Sequence, residues 1–150
     1  MDRTERIELT TLCLVRRGEQ ILLQNRVKAD WQGYALPGGH VEPEESFTRS
    51  VIREVWEETG LTVSGLRLCG VKQWTHQKGN YRYVVLLYIA DRFTGTLRSS
   101  DEGRIFWVSW DDLTTLPLAD GFESMLQVFL NEELTENYHW FDGEWRYENL

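Results

Sequence analysis

The chain has 150 residues, a length that suits one domain built around one hydrophobic core. Hydrophobic residues make up 41% of it, which is ordinary for a globular protein. Its net charge is −8, so the broad basic surface that binds duplex DNA or RNA is not expected.

The N-terminal eight residues are charged, and no apolar run approaches the length of a membrane span. We therefore expect a cytoplasmic protein without a signal peptide and without a membrane partner. Cys13 and Cys69 lie in apolar, strand-like runs with no second cysteine nearby. Both are expected to be buried free thiols of a reducing compartment.

The first 40 residues predict a hairpin followed by an irregular loop. Residues 7–15 and 21–27 are rich in strand-forming side chains, and the polar, glycine-containing stretch between them predicts a turn. Residues 31–40 contain three glycines and a proline, which is typical of a loop or a short irregular strand.

Residues 44–59 change to a helical pattern. Phe47, Val51 and Val55 recur every four residues and would form one apolar stripe. Gly60 follows the last periodic residue, as a helix-ending glycine does. The sequence therefore predicts an amphipathic helix that stops at this glycine.

The second half alternates irregularly between strands and a helix. Strand-like segments are predicted at residues 63–74, 81–93, 94–97 and 105–110, and a second helix at residues 121–134. This order favours a mixed sheet between helices over a regular parallel array.

The C-terminal tail has aromatic runs on both sides of Asp142-Gly143, a pair that favours a tight turn. A hairpin at residues 138–148 is predicted. It is interpreted as a structural cap in preference to a cover over a substrate site.

Three glutamates on the first helix suggest chemistry. Glu54, Glu57 and Glu58 occupy positions i, i+3 and i+4, so they share one arc of the helix surface. Like charges at this spacing repel, and the C-terminal end of a helix disfavours negative charge. Mg²⁺ would relieve both penalties, since it prefers carboxylate oxygens. The alternative for such a cluster taken alone is a solvated acidic face.

The surrounding residues favour the metal site. Residues 39–61 read GHVEPEESFTRSVIREVWEETGL. This segment resembles the signature of the Nudix hydrolases, G-x5-E-x7-R-E-U-x-E-E-x-G-U, where U is bulky and aliphatic. Every defined position matches. The resemblance implies an α/β fold, the Nudix α/β/α sandwich with a mixed β-sheet, as one domain over residues 1–150.

The resemblance also implies roles for individual residues. Glu54, Glu57 and Glu58 would bind Mg²⁺, with Mn²⁺ as an alternative, and the carbonyl of Gly39 would complete the shell. Glu54 or a later glutamate would act on the attacking water, and Arg53 would orient a catalytic glutamate. Glu45 would support the loop.

Outside this signature the chain resembles, more loosely, MutT-type and MutX-type diphosphatases of 8-oxo-dGTP. The resemblance places Glu102 as a further metal ligand or general base, and Arg26 as a phosphate contact. The chain also resembles the mammalian oxidised-purine triphosphatase, in which the positions matching Gln32 and Asp120 contact the base. For Arg26 and Gln32 an exposed surface role is an equal alternative, and for Asp120 a helix N-cap is preferred.

The function expected from these features is magnesium-dependent hydrolysis of a nucleoside triphosphate, with an oxidised purine nucleotide as substrate and a housecleaning role related to DNA repair. One alternative is hydrolysis of a dinucleoside polyphosphate or a nucleotide sugar. Another is a non-catalytic Nudix-fold ligand sensor. The expected partner is a nucleotide, without duplex nucleic acid, and the protein would be a monomer or a homodimer.

Overall fold

The computed structural model describes residues 1–27 and 33–150. Its strands are β1 (Ile7–Arg17), β2 (Gln20–Arg26), β3 (Gly33–Ala35), β4 (Gly38–His40), β5 (Leu61–Ser64), β6 (Arg67–His76), β7 (Tyr81–Ala90), β8 (Arg92–Gly95), β9 (Gly103–Ser109), β10 (Glu136–Phe141) and β11 (Trp145–Asn149). The helices are α1 (Phe47–Thr59) and α2 (Phe122–Leu130), with a short 3₁₀ helix at Trp110–Thr115. In these two stretches of chain no helix has the length and apolarity needed to cross a membrane.

A nine-stranded mixed sheet forms the middle of the described fold. Strands β11, β10, β6, β7, β1, β2 and β3 follow one another in space, while β4 pairs with β1 and β9 pairs with β2. β1 runs parallel to β7, and β10 runs parallel to β6. The antiparallel pair β5 and β8 forms a separate small sheet. The predicted mixed sheet is confirmed.

One helix covers each face of this sheet. Val51 and Val55 of α1 belong to the same buried cluster as Cys13 of β1. The adjacent residue Leu14 belongs to the other cluster, with Met125 of α2. Because successive strand side chains point to opposite faces, α1 and α2 lie on opposite sides of the sheet. The α/β/α sandwich is therefore confirmed.

Helix α1 ends where the sequence predicted but begins later. Gly60 has a φ of 79°, and its N–H donates to the carbonyl of Trp56 at 2.9 Å. The predicted start at residue 44 is wrong, because Glu44 has a φ of 64° and cannot continue a right-handed helix. The N-cap is Ser46, whose hydroxyl accepts from the N–H of Arg49 at 3.3 Å.

Two other predicted elements also differ from the structure. The segment predicted as one strand at residues 63–74 is split, because Gly65 turns the chain with a φ of 62°. The second helix ends at Leu130, four residues early, since Asn131 adopts extended backbone angles. Both cysteines are free thiols, but Cys69 is only partly buried, contrary to the expectation.

The C-terminal hairpin is part of the main sheet. Its strands begin and end slightly outside residues 138–148, because Glu136 and Asn137 already pair with β6. The Asn137 side chain is fully buried and donates to the Ser124 hydroxyl at 3.1 Å and to the Asn149 side-chain carbonyl at 2.7 Å. The hairpin thus extends the sheet edge and is tied to α2.

Candidate active site

Strand β4 sets the backbone of the candidate site between β1 and α1. Gly38 pairs with Leu12, and Gly39 pairs with Thr11. A Cβ on Gly38 would lie 2.0 Å from the Thr11 carbonyl oxygen. A Cβ on Gly39 would lie 2.5 Å from the carboxyl carbon of Glu54. Glycine at both positions therefore permits close approach, to a backbone in one case and to a carboxylate in the other.

Arg53 connects the loop before α1 to the carboxylates of the helix. Its Nε and Nη2 donate to the two oxygens of Glu45 at 2.8 and 2.9 Å. Its Nη1 donates to Glu54 at 2.8 Å and more distantly to Glu57 at 3.4 Å. Its Nη2 also donates to the His40 carbonyl at 3.0 Å. These bonds from Arg53 lower the pKa of Glu45 to about 2 and fix the Glu54 carboxylate in place.

Glu58 is the most deeply buried of the three helix glutamates, with 3% of its surface exposed. The Gly38 N–H donates to its Oε2 at 3.0 Å. Burial, followed by a hydrogen bond with Glu102, raises the pKa of Glu58 to about 9. Burial also raises the pKa of Glu54, against the opposing effect of Arg53. The ionised forms of Glu54 and Glu58 are therefore destabilised in the metal-free protein.

The glutamates line a cleft of about 380 Å³, which we name the carboxylate cleft. Its lining residues are Glu54, Glu57, Glu58, Ser100, Asp101 and Glu102. The turn before β9 thus brings Glu102 to the helix, although the two are more than 40 residues apart in sequence. Asp101, which the sequence analysis passed over, lies in the same lining. Its position directly beside Glu102 in a glycine-containing turn was the available indication.

The donor set of this cleft fits a divalent cation. Five carboxylates gather where one guanidinium, that of Arg53, bonds to the helix glutamates. Within the described ranges no three acidic, histidine or cysteine side chains form a ready-made metal cage. A bound cation would relieve the repulsion among these carboxylates. Oxygen donors of this kind suit Mg²⁺ or Mn²⁺.

The sequence-predicted substrate contacts have different positions. Arg26 pairs with Gly103, and Gly103 directly follows Glu102 in the chain. Arg26 therefore lies at the same edge of the sheet as the cleft. Gln32 lies outside the described residues. The preferred N-cap interpretation of Asp120 is wrong, because Gly121 is the cap of α2 and no side chain caps the helix. Asp120 lies near the phenol of Tyr147, and burial followed by the charge of Asp120 raises the pKa of Tyr147.

An aromatic cluster that the sequence analysis did not single out lies beside Arg26. Trp74 and Tyr83 stack with centroids 4.4 Å apart and an interplanar angle of 11°. Burial raises the pKa of Tyr83, and Arg26 is close enough to act against that rise. The cluster continues from Trp74 to His139 at 6.1 Å and from His139 to Tyr147 at 4.3 Å. Trp74 and Tyr83 lie in the adjacent strand-like segments predicted at residues 63–74 and 81–93, which could have indicated this pair.

Comparison with known families gives one family match. The model described as the NUDIX domain matches residues 7–130, which is most of the chain. The match covers both the glutamate helix and the turn that carries Glu102.

Individual proteins give the same result. A Bacillus subtilis protein named uncharacterized Nudix hydrolase YvcI is 31% identical over 128 residues, covering 83% of this chain and 80% of that protein. The CTP pyrophosphohydrolase of Escherichia coli is 28% identical and covers 83% of this chain and 91% of that protein. Among solved structures, the mutator MutT protein of Bacillus halodurans superposes with a TM-score of 0.79 at 25% identity, covering 94% of this chain and 97% of that one.

Proposed function

The chain belongs to the Nudix family, and from this premise we propose that it hydrolyses a nucleoside triphosphate, with 8-oxo-dGTP or a related oxidised purine nucleotide as the preferred substrate. It is an enzyme of the Nudix type, a pyrophosphohydrolase resembling MutT-type proteins. The observation that carries the proposed hydrolysis is the convergence of the helix glutamates and Glu102 on one cleft of about 380 Å³.

In this proposal Glu54, Glu57, Glu58 and Glu102 hold Mg²⁺ or Mn²⁺, together with the backbone carbonyl of Gly39. A bound ion of this type supplies Lewis-acid polarisation of a phosphoryl oxygen and favours ionisation of water. The deep burial of Glu58 gives the cleft a fixed, water-poor side.

The protein's own groups handle the proton and the orientation. A water oxygen forms a bond to a phosphorus of the triphosphate, and the bond from that phosphorus to the bridging oxygen breaks. Nucleoside monophosphate and pyrophosphate are released, and Glu54 or Glu102 accepts the proton of the water. Arg53 holds one oxygen of Glu54 at 2.8 Å, so Arg53 is a positioning residue.

The base preference rests on the surroundings of Arg26. Arg26 is the proposed phosphate contact, and the partly buried Trp74–Tyr83 pair beside it offers aromatic surface for a purine. Asp120 reaches the same cluster through Tyr147 and could accept hydrogen bonds from a purine edge. Gln32 is the further proposed base contact.

A panel of nucleotides tests the substrate. In Mg²⁺ buffer, kcat/KM would be measured for 8-oxo-dGTP, dGTP, CTP, a dinucleoside polyphosphate and a nucleotide sugar, with pyrophosphate detection for the triphosphates. We expect 8-oxo-dGTP to exceed dGTP by at least about tenfold.

CTP is included because the Escherichia coli relative is named for it. If 8-oxo-dGTP shows no preference over dGTP while CTP, a dinucleoside polyphosphate or a nucleotide sugar is cleaved rapidly, the substrate proposal is wrong. The Nudix pyrophosphohydrolase assignment would be unaffected.

A further inference from the structure

A second cleft, of about 600 Å³, lies at the opposite end of β2 from the glutamates. We name it the arginine cleft, and it is lined by Arg16, Arg17, Gly18, Asp91, Arg92 and Phe93. In the β2–β9 ladder, Gln20 pairs with Ser109 beside this cleft, and Arg26 pairs with Gly103 beside the glutamates. The six residue steps from Gln20 to Arg26 separate the two clefts by about 20 Å.

The charge of the arginine cleft is opposite to that of the whole molecule. The chain has 24 acidic and 16 basic side chains, and a net charge of −8. The cleft has three arginines and one aspartate in its lining. Such a reversal over a concave surface concentrates a positive potential, which attracts anions.

Arg17 is held in place by neutral groups, which leave its charge unpaired by a carboxylate within the described ranges. Its guanidinium carbon lies 4.2 Å from the ring centroid of Trp107. Its Nη2 donates to the side-chain oxygen of Gln20 at 2.8 Å. Among the described residues it has no recorded carboxylate partner. A guanidinium fixed in this way loses little side-chain entropy when it binds a ligand.

Arg92 is exposed and lies against a glycine. Its guanidinium lies over Gly65, where an added Cβ would come within 2.2 Å of Nη2. In the described part of the chain it too has no recorded ion pair. Arg16 makes one contact of 3.4 Å with Asp91, and both side chains are more than a third exposed. Such an exposed pair stabilises the fold little and exchanges readily for a stronger anion.

An aromatic wall completes the cleft. Phe93 lines it and packs against Trp107 with ring centroids 5.4 Å apart. Gly18, in the turn at the mouth, has open space where a Cβ would lie. The arginine cleft therefore combines donors suited to phosphate oxygens, a flat apolar surface and free access from solvent.

We propose that the arginine cleft is a second ligand site that binds the di- or triphosphate chain of a small anion, separate from the carboxylate cleft. Guanidinium groups match phosphate oxygens with paired donors, and three of them suit a chain of two or three phosphates. The ligand is either an inorganic oligophosphate or a nucleotide, which would add its base to the Phe93 surface.

Calorimetric titration of the full chain in low-salt buffer with EDTA tests this site. Removal of divalent ions prevents hydrolysis and leaves the carboxylate cleft repulsive to phosphates. The probes are sodium tripolyphosphate in one arm and a nucleoside triphosphate in the other. The double variant Arg17→Gln, Arg92→Gln should bind at least about tenfold more weakly, since two charged donors are lost.

Arg146→Gln is the matched control, because it removes an exposed arginine elsewhere on the surface and should leave binding unchanged. If tripolyphosphate and the nucleotide bind equally well, the site recognises the phosphate chain alone. If the nucleotide binds more tightly and this advantage is lost in Phe93→Leu, the site also binds the base.

Backbone amide NMR shifts of the unmodified protein supply a readout that needs no variant. Shifts at Gly18 and Arg92, with none at Glu57, are expected. Absence of binding in both arms, unchanged binding by the double variant, or shifts confined to the carboxylate cleft would overturn the proposal.

Discussion

At the scale of single residues, Arg53 connects the loop before α1 to the glutamates of the helix. It donates to three carboxylates and to the His40 carbonyl, and its planar group reaches both oxygens of Glu45 at once. A lysine carries the same charge but cannot reproduce this fork. Arg53 therefore determines where the Glu54 carboxylate lies.

Replacing Arg53 with lysine should lower both stability and turnover. We expect the free energy of unfolding to fall, because the paired bonds to Glu45 are lost. We also expect kcat to fall more than KM changes, since Glu54 loses its orientation. Urea denaturation and steady-state kinetics measure the two effects. Arg49→Lys, an exposed position on the same helix, is the control, and equal effects of the two substitutions would refute this role of Arg53.

The identities of these residues could be predicted from the sequence, but their environments could not. Helical spacing places Glu54, Glu57 and Glu58 on one arc. It does not say that Glu58 is buried against the Gly38 N–H while half of the Glu57 side chain is exposed. That difference depends on β4, which reaches the helix only through its pairing with β1. Contacts of this kind are set by tertiary packing.

At the scale of elements, β4 is positioned by two glycines whose substitutions should differ in effect. Alanine at Gly38 would meet the backbone of β1, which cannot move without disturbing the sheet. Alanine at Gly39 would meet the end of the Glu54 side chain, which can rotate away. Alanine at Gly38 should therefore affect folding, whereas alanine at Gly39 should affect the position of the Glu54 carboxylate.

We therefore predict that Gly38→Ala lowers the free energy of unfolding by about 2 kcal/mol or more. Gly39→Ala should lower it less but reduce kcat/KM by at least about tenfold, because the Glu54 carboxylate is displaced. Chemical denaturation and kinetics on the same two proteins decide the matter. The reverse order of effects would contradict the described packing of β4.

The terminal hairpin gives a second prediction at this scale. Asn137→Ala should lower the free energy of unfolding by about 2 kcal/mol, because a fully buried side chain is removed together with its hydrogen bonds to the partly buried Ser124 and Asn149. Glu148→Ala, at an exposed position on β11, should change it little. Urea denaturation compares the two, and equal stability would mean that the hairpin does not depend on this side chain.

The hairpin also shows what sequence can predict about elements. Asp142-Gly143 between aromatic runs predicts the turn, because turn formation is local. The parallel pairing of β10 with β6 joins residues more than 60 positions apart. No local pattern predicts that partner, so the sequence predicts a hairpin but not its place at the edge of the main sheet.

At the scale of the whole molecule, the buried carboxylate links stability to pH and to metal. Burial raises the pKa of Glu58 from its ordinary value of 4.5 to about 9 in the folded, metal-free protein. Between these values the folded state holds a proton that the unfolded state has lost. The contribution of Glu58 to the free energy of unfolding therefore falls as pH rises through this interval.

Mg²⁺ competes with that proton, so its stabilising effect should grow with pH. Melting temperatures in Mg²⁺ and in EDTA would be compared between about pH 6.5 and pH 8. This window avoids His139, whose pKa is lowered to about 4, and Lys72, whose pKa is lowered to about 8. Outside this window, titration of His139 or Lys72 makes the free energy of unfolding rise with pH, which is opposite to the effect of Glu58. If the rise in melting temperature caused by Mg²⁺ does not depend on pH, or is the same in Glu58→Gln, then Glu58 does not bind the metal.

The central claim is that the carboxylate cleft hydrolyses a diphosphate bond with the help of Glu58. The most direct measurement is turnover of a nucleoside triphosphate in Mg²⁺, with products separated by chromatography, for the unmodified protein, Glu58→Gln and the exposed control Glu123→Gln. We predict nucleoside monophosphate and pyrophosphate as products, with kcat/KM at least about a hundredfold lower in Glu58→Gln and unchanged in the control. Full activity in Glu58→Gln, or release of inorganic phosphate with a nucleoside diphosphate, would contradict it.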